Sequence, residues 1–174
     1  MFDPTIFDNI KVVLEGIVYD LDLDGQIEVL KRRDLVDLAS MERSFSIQFK
    51  MVGSANEQNA EIFLTASGAD LVAEVLELKD HYLPGCEIII CFHSLIIDPG
   101  QSKLKEAVLS KIWVGRAIEQ RITYVYKGGE IEPSSFQNKS VVSFERKIGE
   151  DNIIDLDELV KSTIHSLENI NLII

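Results

Sequence analysis

Cysteine is nearly absent. Two in 174 residues cannot supply a disulfide framework, and a chain of this length needs none, because it buries roughly 70% of its unfolded surface on folding. Proline is scarce too, with four in the chain, which removes low-complexity and collagen-like readings. No apolar run approaches the ~20 residues that cross a bilayer; the longest, Ile88 to Ile97, is broken by His93 and Ser94. Positive charge is the largest deficit. Seventeen bases stand against 29 acids, for a net charge of −12 and a pI near 4.6. Such a chain is repelled at long range by phosphate backbones and anionic lipid surfaces, so neither nucleic acid nor membrane is an expected partner. The opening stretch MFDPTIFDN has no basic segment and carries two aspartates, which is not the pattern of a secretory signal. A cytoplasmic location is therefore expected.

Several chemical signatures are also missing. The chain has no glycine-rich phosphate loop ending in Lys-Ser/Thr, no HExxH, no GxSxG and no GxGxxG. No cofactor is implied. What is present is an ordinary globular balance, 46% hydrophobic and 26% charged residues, in one length suited to a single domain over residues 1–174.

The acids lean toward the first half, 16 against 7 bases in residues 1–80 and 13 against 10 in the rest. Their sharpest arrangement is DLDLDGQIEVLK, Asp20 to Lys31. A calcium loop of the EF-hand kind places oxygens at positions 1, 3 and 5, glycine at 6 and a bidentate glutamate at 12. Asp20, Asp22, Asp24 and Gly25 meet the early positions, but position 12 is Lys31, a cation where two oxygens are needed. The preceding VVLEGIVY is rich in β-branched residues and reads as a strand over Val12 to Asp22. A three-residue turn at Leu23-Asp24-Gly25 then pairs Leu21 with Ile27 and Tyr19 with Val29, sorting apolar from polar faces. An N-terminal β-hairpin with solvated aspartates is the expectation, and calcium binding at Asp20, Asp22 and Asp24 the alternative.

Further along, Pro4 to Asn9 can form a helical turn capped by Asp3. Phe45, Ile47, Phe49 and Met51 alternate with polar residues, the mark of a half-buried strand, and Glu61 to Ala66 returns beside it. Ser67 and Asp70 form a capping box ahead of a helix of about ten residues. CEIIICFHSLII reads as a central strand apolar on both faces. Ser102 to Val114 fits a helix better than a strand, although a strand remains open. Arg121 to Tyr126 and Glu130 to Glu132 flank Lys127-Gly128-Gly129 as a hairpin, Ser140 to Arg146 adds a strand, and Asp155 to Glu168 forms a final helix with Leu156, Leu159, Val160, Ile164 and Leu167 inward. The expected fold is α+β: a mainly antiparallel sheet of six to eight strands with two or three helices on one face.

Residues that could carry chemistry are few. Strand alternation places Cys91 and His93 on one face and Cys86 on the other, so the three cannot converge on an ion, and His93 and Ser94 point apart. Cys91 and His93 stay as candidates for a thiolate–imidazole pair or a ligand site. His81 and His165 read as helix-end and solvated residues. The C-terminal Ile170, Leu172, Ile173 and Ile174 run on past the expected helix stop at Asn169 and need cover, either on the sheet or on a partner. The functional expectation is a non-enzymatic protein acting by protein–protein contact, as a homodimeric regulatory or adaptor module; the alternative is a small-ligand binder or enzyme with a pocket near His93.

Overall fold

The computed structural model describes residues 5–54, 57–78, 82–126, 128–129 and 133–173. Among these, six strands and four helices form an α+β fold: α1 (Ile6–Leu23), β1 (Ile27–Asp37), β2 (Glu42–Met51), β3 (Asn59–Ala66), α2 (Gly68–Val75), β4 (Glu87–Ile96), α3 (Gly100–Ile112), β5 (Ala117–Thr123), β6 (Phe136–Ser143) and α4 (Leu156–Asn171). The strands make one sheet in the order β1-β2-β3-β4-β6-β5, and every neighbouring pair is antiparallel. No helix among the described residues is long and apolar enough to cross a membrane.

Alternation divides the sheet into two faces. Ile27 of β1, Phe45, Ile47 and Phe49 of β2, Ala60, Ile62 and Leu64 of β3, Ile88, Ile90 and Phe92 of β4 and Val142 of β6 point inward and join one core cluster with buried residues of α1, α3 and α4. Helix α2 contributes nothing to that cluster and lies at the end of the sheet, where its Glu74 accepts the Ile6 backbone N–H at 2.8 Å.

The expected N-terminal hairpin is not formed. Residues 12–22 belong to α1, so four helices replace the two or three anticipated. Of the β-branched residues that suggested a strand, Val12 is exposed and only Val18 joins the stripe at helical spacing formed by Phe7, Ile10, Leu14 and Val18, all buried; burying that stripe outweighs the modest helix penalty of Val and Ile. Thr5 caps the helix by accepting the Asp8 N–H at 3.2 Å, in place of the expected cap Asp3, which lies outside the described residues with Pro4. The charged side of α1 lies against the sheet edge. Arg43 donates to both carboxylate oxygens of Asp8 at 2.9 and 3.0 Å, Lys11 reaches Asp34 at 2.9 Å, and Arg32 pairs with Glu15.

The aspartate run ends this helix. Gly25 N–H donates to the Asp22 carbonyl and Gln26 N–H to the Leu21 carbonyl, each at 3.0 Å, the paired bonds of a Schellman motif. Its αL position is Gly25, at φ +73°, where a side chain would be strained. Ile27 then starts β1 and pairs with Met51, not with Leu21.

Most of the remaining expectations match. Phe45, Ile47 and Phe49 are fully buried, and β3 returns antiparallel beside them. The Ser67–Asp70 box forms, on a helix of eight residues. Residues 100–112 are helical, yet the buried stripe is Ser102, Lys105 and Leu109, with Leu104 exposed. Strand β5 overlaps the expected Arg121–Tyr126 only through Thr123, and β6 the expected Ser140–Arg146 only through Ser143, while Lys127 and Glu130 to Glu132 lie outside the described residues. Helix α4 has the predicted inward face and runs on to Asn171.

One buried carboxylate ties the far end together. Asp70 accepts from Ser67 N–H, Tyr82 Oη, Gly85 N–H and the Lys147 ammonium at 2.8 to 3.2 Å. Burial would raise its pKa, but the bonds from Lys147 and Ser67 hold it below the usual carboxylate value. Gly85 is required nearby, because a Cβ there would stand 2.8 Å from the Ile148 carbonyl oxygen. The adjoining cavity, about 10 Å³, has room for no more than a single water.

Candidate functional site on the open face of the sheet

The opposite face of the sheet carries no side chain of the core cluster. Strand register lays its residues in rows. Glu61, Cys91, Val141 and Glu119 form one row across β3, β4, β6 and β5, and Asn59, His93, Lys139 and Arg121 form the next. Phe63 and Ile89 lie opposite each other on the far side of the Cys91 row. An apolar centre of Phe63, Ile89, Cys91 and Val141 is thus bordered by charge.

Cys91 is fully buried without belonging to the core. Lys139 supplies the cover. Its ammonium reaches to 5.6 Å from the Phe63 ring centroid, and since β4 separates their strands, its stem must pass over the Cys91 row. Burial pushes the Cys91 thiol above its ordinary pKa, and Cys86, inside the core, is pushed up to about 12. Both are poor sources of thiolate.

His93 Nε2 lies 3.3 Å from Glu61 Oε2, an ion-pair contact outside hydrogen-bond geometry. Burial alone would raise the Glu61 pKa; contacts with His93 and Ser46 bring it below the usual value. An open groove of about 520 Å³ runs past His93, lined by Gln48, Asn59, Arg121 and Lys139 among others. Arg121 is turned toward Glu119, with which it pairs. Ser94 points the other way, as alternation requires, and accepts a hydrogen bond from Lys105.

The other candidates are dispersed. Asp20 and Asp24 are exposed at the end of α1, while Asp22 Oδ1 accepts the Val29 N–H at 3.1 Å. A helix does precede Gly25, but a strand follows, and Lys31 stands on β1. No group of three His, Cys, Asp or Glu among the described residues is placed to hold a metal ion. At the C-terminus Ile170 is buried in the chain's own core, Ile173 is half-buried and Leu172 exposed; Ile174 lies outside the described residues, as does His81. His165 is exposed on α4 beside Asn169 and Glu168.

Lys139, Arg121, Glu61 and Glu119 carry no local motif. Their grouping comes from strand register between segments up to 80 residues apart, and only the alternation within each strand could have hinted at a shared face. Comparison with known proteins returns no matching family model, no matching curated protein and no matching solved structure. The site is therefore read from its own chemistry.

Proposed function

We propose that this chain is a non-enzymatic cytoplasmic protein that works by protein–protein contact, and that the open face of its sheet is the contact surface, with a second copy of the chain as partner. The observation that carries this is the pattern of that face: an apolar centre of Phe63, Ile89, Cys91 and Val141 inside a charged border. Apolar centre and polar rim are the usual anatomy of an interface. The row holding Glu61 and Glu119 lies beside the row holding His93, Lys139 and Arg121, so a two-fold arrangement can set the acids of one copy against the bases of the other. A sheet with helices on one side gains by covering the other.

Light scattering over a range of concentrations tests it. The expected result is a dimer that Ile89→Glu shifts toward monomer by at least about tenfold in Kd, with little change in melting temperature. A chain monomeric up to about millimolar concentration, with wild type and Ile89→Glu capturing the same proteins or none, overturns the reading.

A second reading is favoured by the groove at His93. A volume of about 520 Å³ with a carboxylate 3.3 Å from the imidazole suits a small polar ligand. Binding rather than covalent catalysis is the better form of it, because burial keeps the neighbouring Cys91 thiol protonated.

A further inference from the structure

A separate cavity of about 310 Å³ lies between the start of α4, the end of α3 and the segment following β6. It shares no lining residue with the groove at His93. Its apolar wall is built from Ile88, Trp113, Phe144 and Leu156. The two aromatic rings meet edge to face at 5.9 Å and 88°, and the indole is fixed by its N–H, which donates to Ser166 Oγ at 2.8 Å. This rigid wall stands at the small end of the size range of ligand sites.

Charges of both signs are arranged around it. Of the six arginines, Arg32, Arg43 and Arg121 each pair with a carboxylate, while Arg33 on β1 makes no ion pair among the described residues. Arg116 and Arg146, both lining this cavity, make no ion pair among the described residues. Arg116 instead lies over the Phe144 ring, its guanidinium carbon 5.0 Å from the centroid. Asp155 and Glu158 line the same cavity from the α4 side. Two cations and two anions share one opening without neutralising each other, although the chain has acids to spare.

We propose that this cavity binds a small zwitterion with an apolar body, the chemical class of free hydrophobic amino acids. The body packs on Trp113, Phe144 and Leu156. The carboxylate is taken by the open guanidinium forks, and the ammonium lies toward Asp155 and Glu158. A simple anion would meet the two acids and a simple cation the two arginines, so only a ligand carrying both charges complements the whole lining.

Trp113 is the one tryptophan of the chain, so its emission reports on this cavity alone. The full chain is titrated with L-leucine and L-phenylalanine, then with N-acetyl-L-leucine and L-leucinamide, each lacking one charge. The expected result is a saturable change in Trp113 emission and a raised melting temperature with the free amino acids, and at least about tenfold weaker binding of the two blocked analogues. Arg146→Gln is expected to weaken L-leucine by a similar factor with the melting temperature of the free protein unchanged, and Ser162→Phe to abolish binding by filling the space. No saturable change with either amino acid at about 10 mM overturns the proposal. So does equal binding of a blocked analogue, or wild-type binding by both Arg146→Gln and Arg116→Gln.

Discussion

Phe49 and Phe63 carry the same side chain on adjacent strands of one sheet, yet they have different tasks. Phe49 points inward and is fully buried in the core cluster. Phe63 points outward, half-covered by the Lys139 ammonium and by its neighbour Ile89. The inner face is a stability device, since its rows through Phe45, Ile47 and Phe49 are apolar from β2 to β4 and close against three helices. The outer face mixes acids, bases, a thiol and apolar groups, and its partners lie beside it rather than above it. Truncation should separate the two sharply. Phe49→Ala is expected to destabilise by about 3–5 kcal/mol in urea denaturation, because it opens a cavity in a packed core. Phe63→Ala should destabilise the monomer by less than about 1.5 kcal/mol, since water fills the gap. Equal losses would mean that the outer face is as closely covered as the inner one.

The inner face has one region that breaks its own rule. Toward β6 and β5 it holds Ser94, Asn138 and Ser140, all buried, with Asn138 and Ser140 both donating to Gln120 Oε1 at 2.8 and 3.0 Å. Into this polar ground α3 inserts Lys105, 2% exposed, bonded to Ser94 Oγ at 2.7 Å and Gln58 Oε1 at 3.4 Å and to no carboxylate. Burial pulls its pKa down to about 8. The unfolded chain, near the ordinary lysine value of 10.5, holds its proton more tightly than the folded one, so stability rises with pH between about 8 and 10.5 and is lowest below 8. Lys105→Met should therefore stabilise the protein at pH 7 by about 1–3 kcal/mol. Its advantage over wild type should shrink as pH climbs through that window. A pH-independent difference, or a destabilised variant, would show that the hydrogen bonds to Ser94 and Gln58 outweigh the desolvation of the ammonium.

These two regions also mark what the amino-acid order could reveal. Strands β2, β3 and β4 and helix α4 were legible because alternation or helical spacing is a local signal that burial then enforces. Helix α1 was misread for a physical reason: Val12, Val13, Ile17 and Val18 are β-branched, and that enrichment hid the spacing of Phe7, Ile10, Leu14 and Val18. The turn chemistry of Asp24-Gly25 was read correctly as a chain reversal and wrongly as a hairpin, since αL glycine serves both. On α3 hydrophobicity alone favours burying Leu104 over Lys105, and the polar patch of the sheet reverses them. The candidate site was legible in two of its members, Cys91 and His93, because both sit on one strand. Glu61, Lys139 and Arg121 join them only through register, which no window of sequence contains.

The smallest expected effect tests the outer face itself. His93 and Glu61 meet diagonally across β3 and β4 at 3.3 Å, with side chains 31% and 13% exposed. A pair this close to water is worth little, because solvent screens the attraction and holding both side chains carries an entropy cost. A double-mutant cycle with His93→Ala and Glu61→Gln should give a coupling of less than about 1 kcal/mol. Glu61 has a lowered pKa, so its part of that stability is present above the ordinary carboxylate value and is lost as pH falls through the folded one. Below the folded Glu61 value the coupling should vanish with the charge on that carboxylate. If it persists there, the pair is held by packing under Lys139 rather than by charge, and the outer face is a closed surface with its contacts already made.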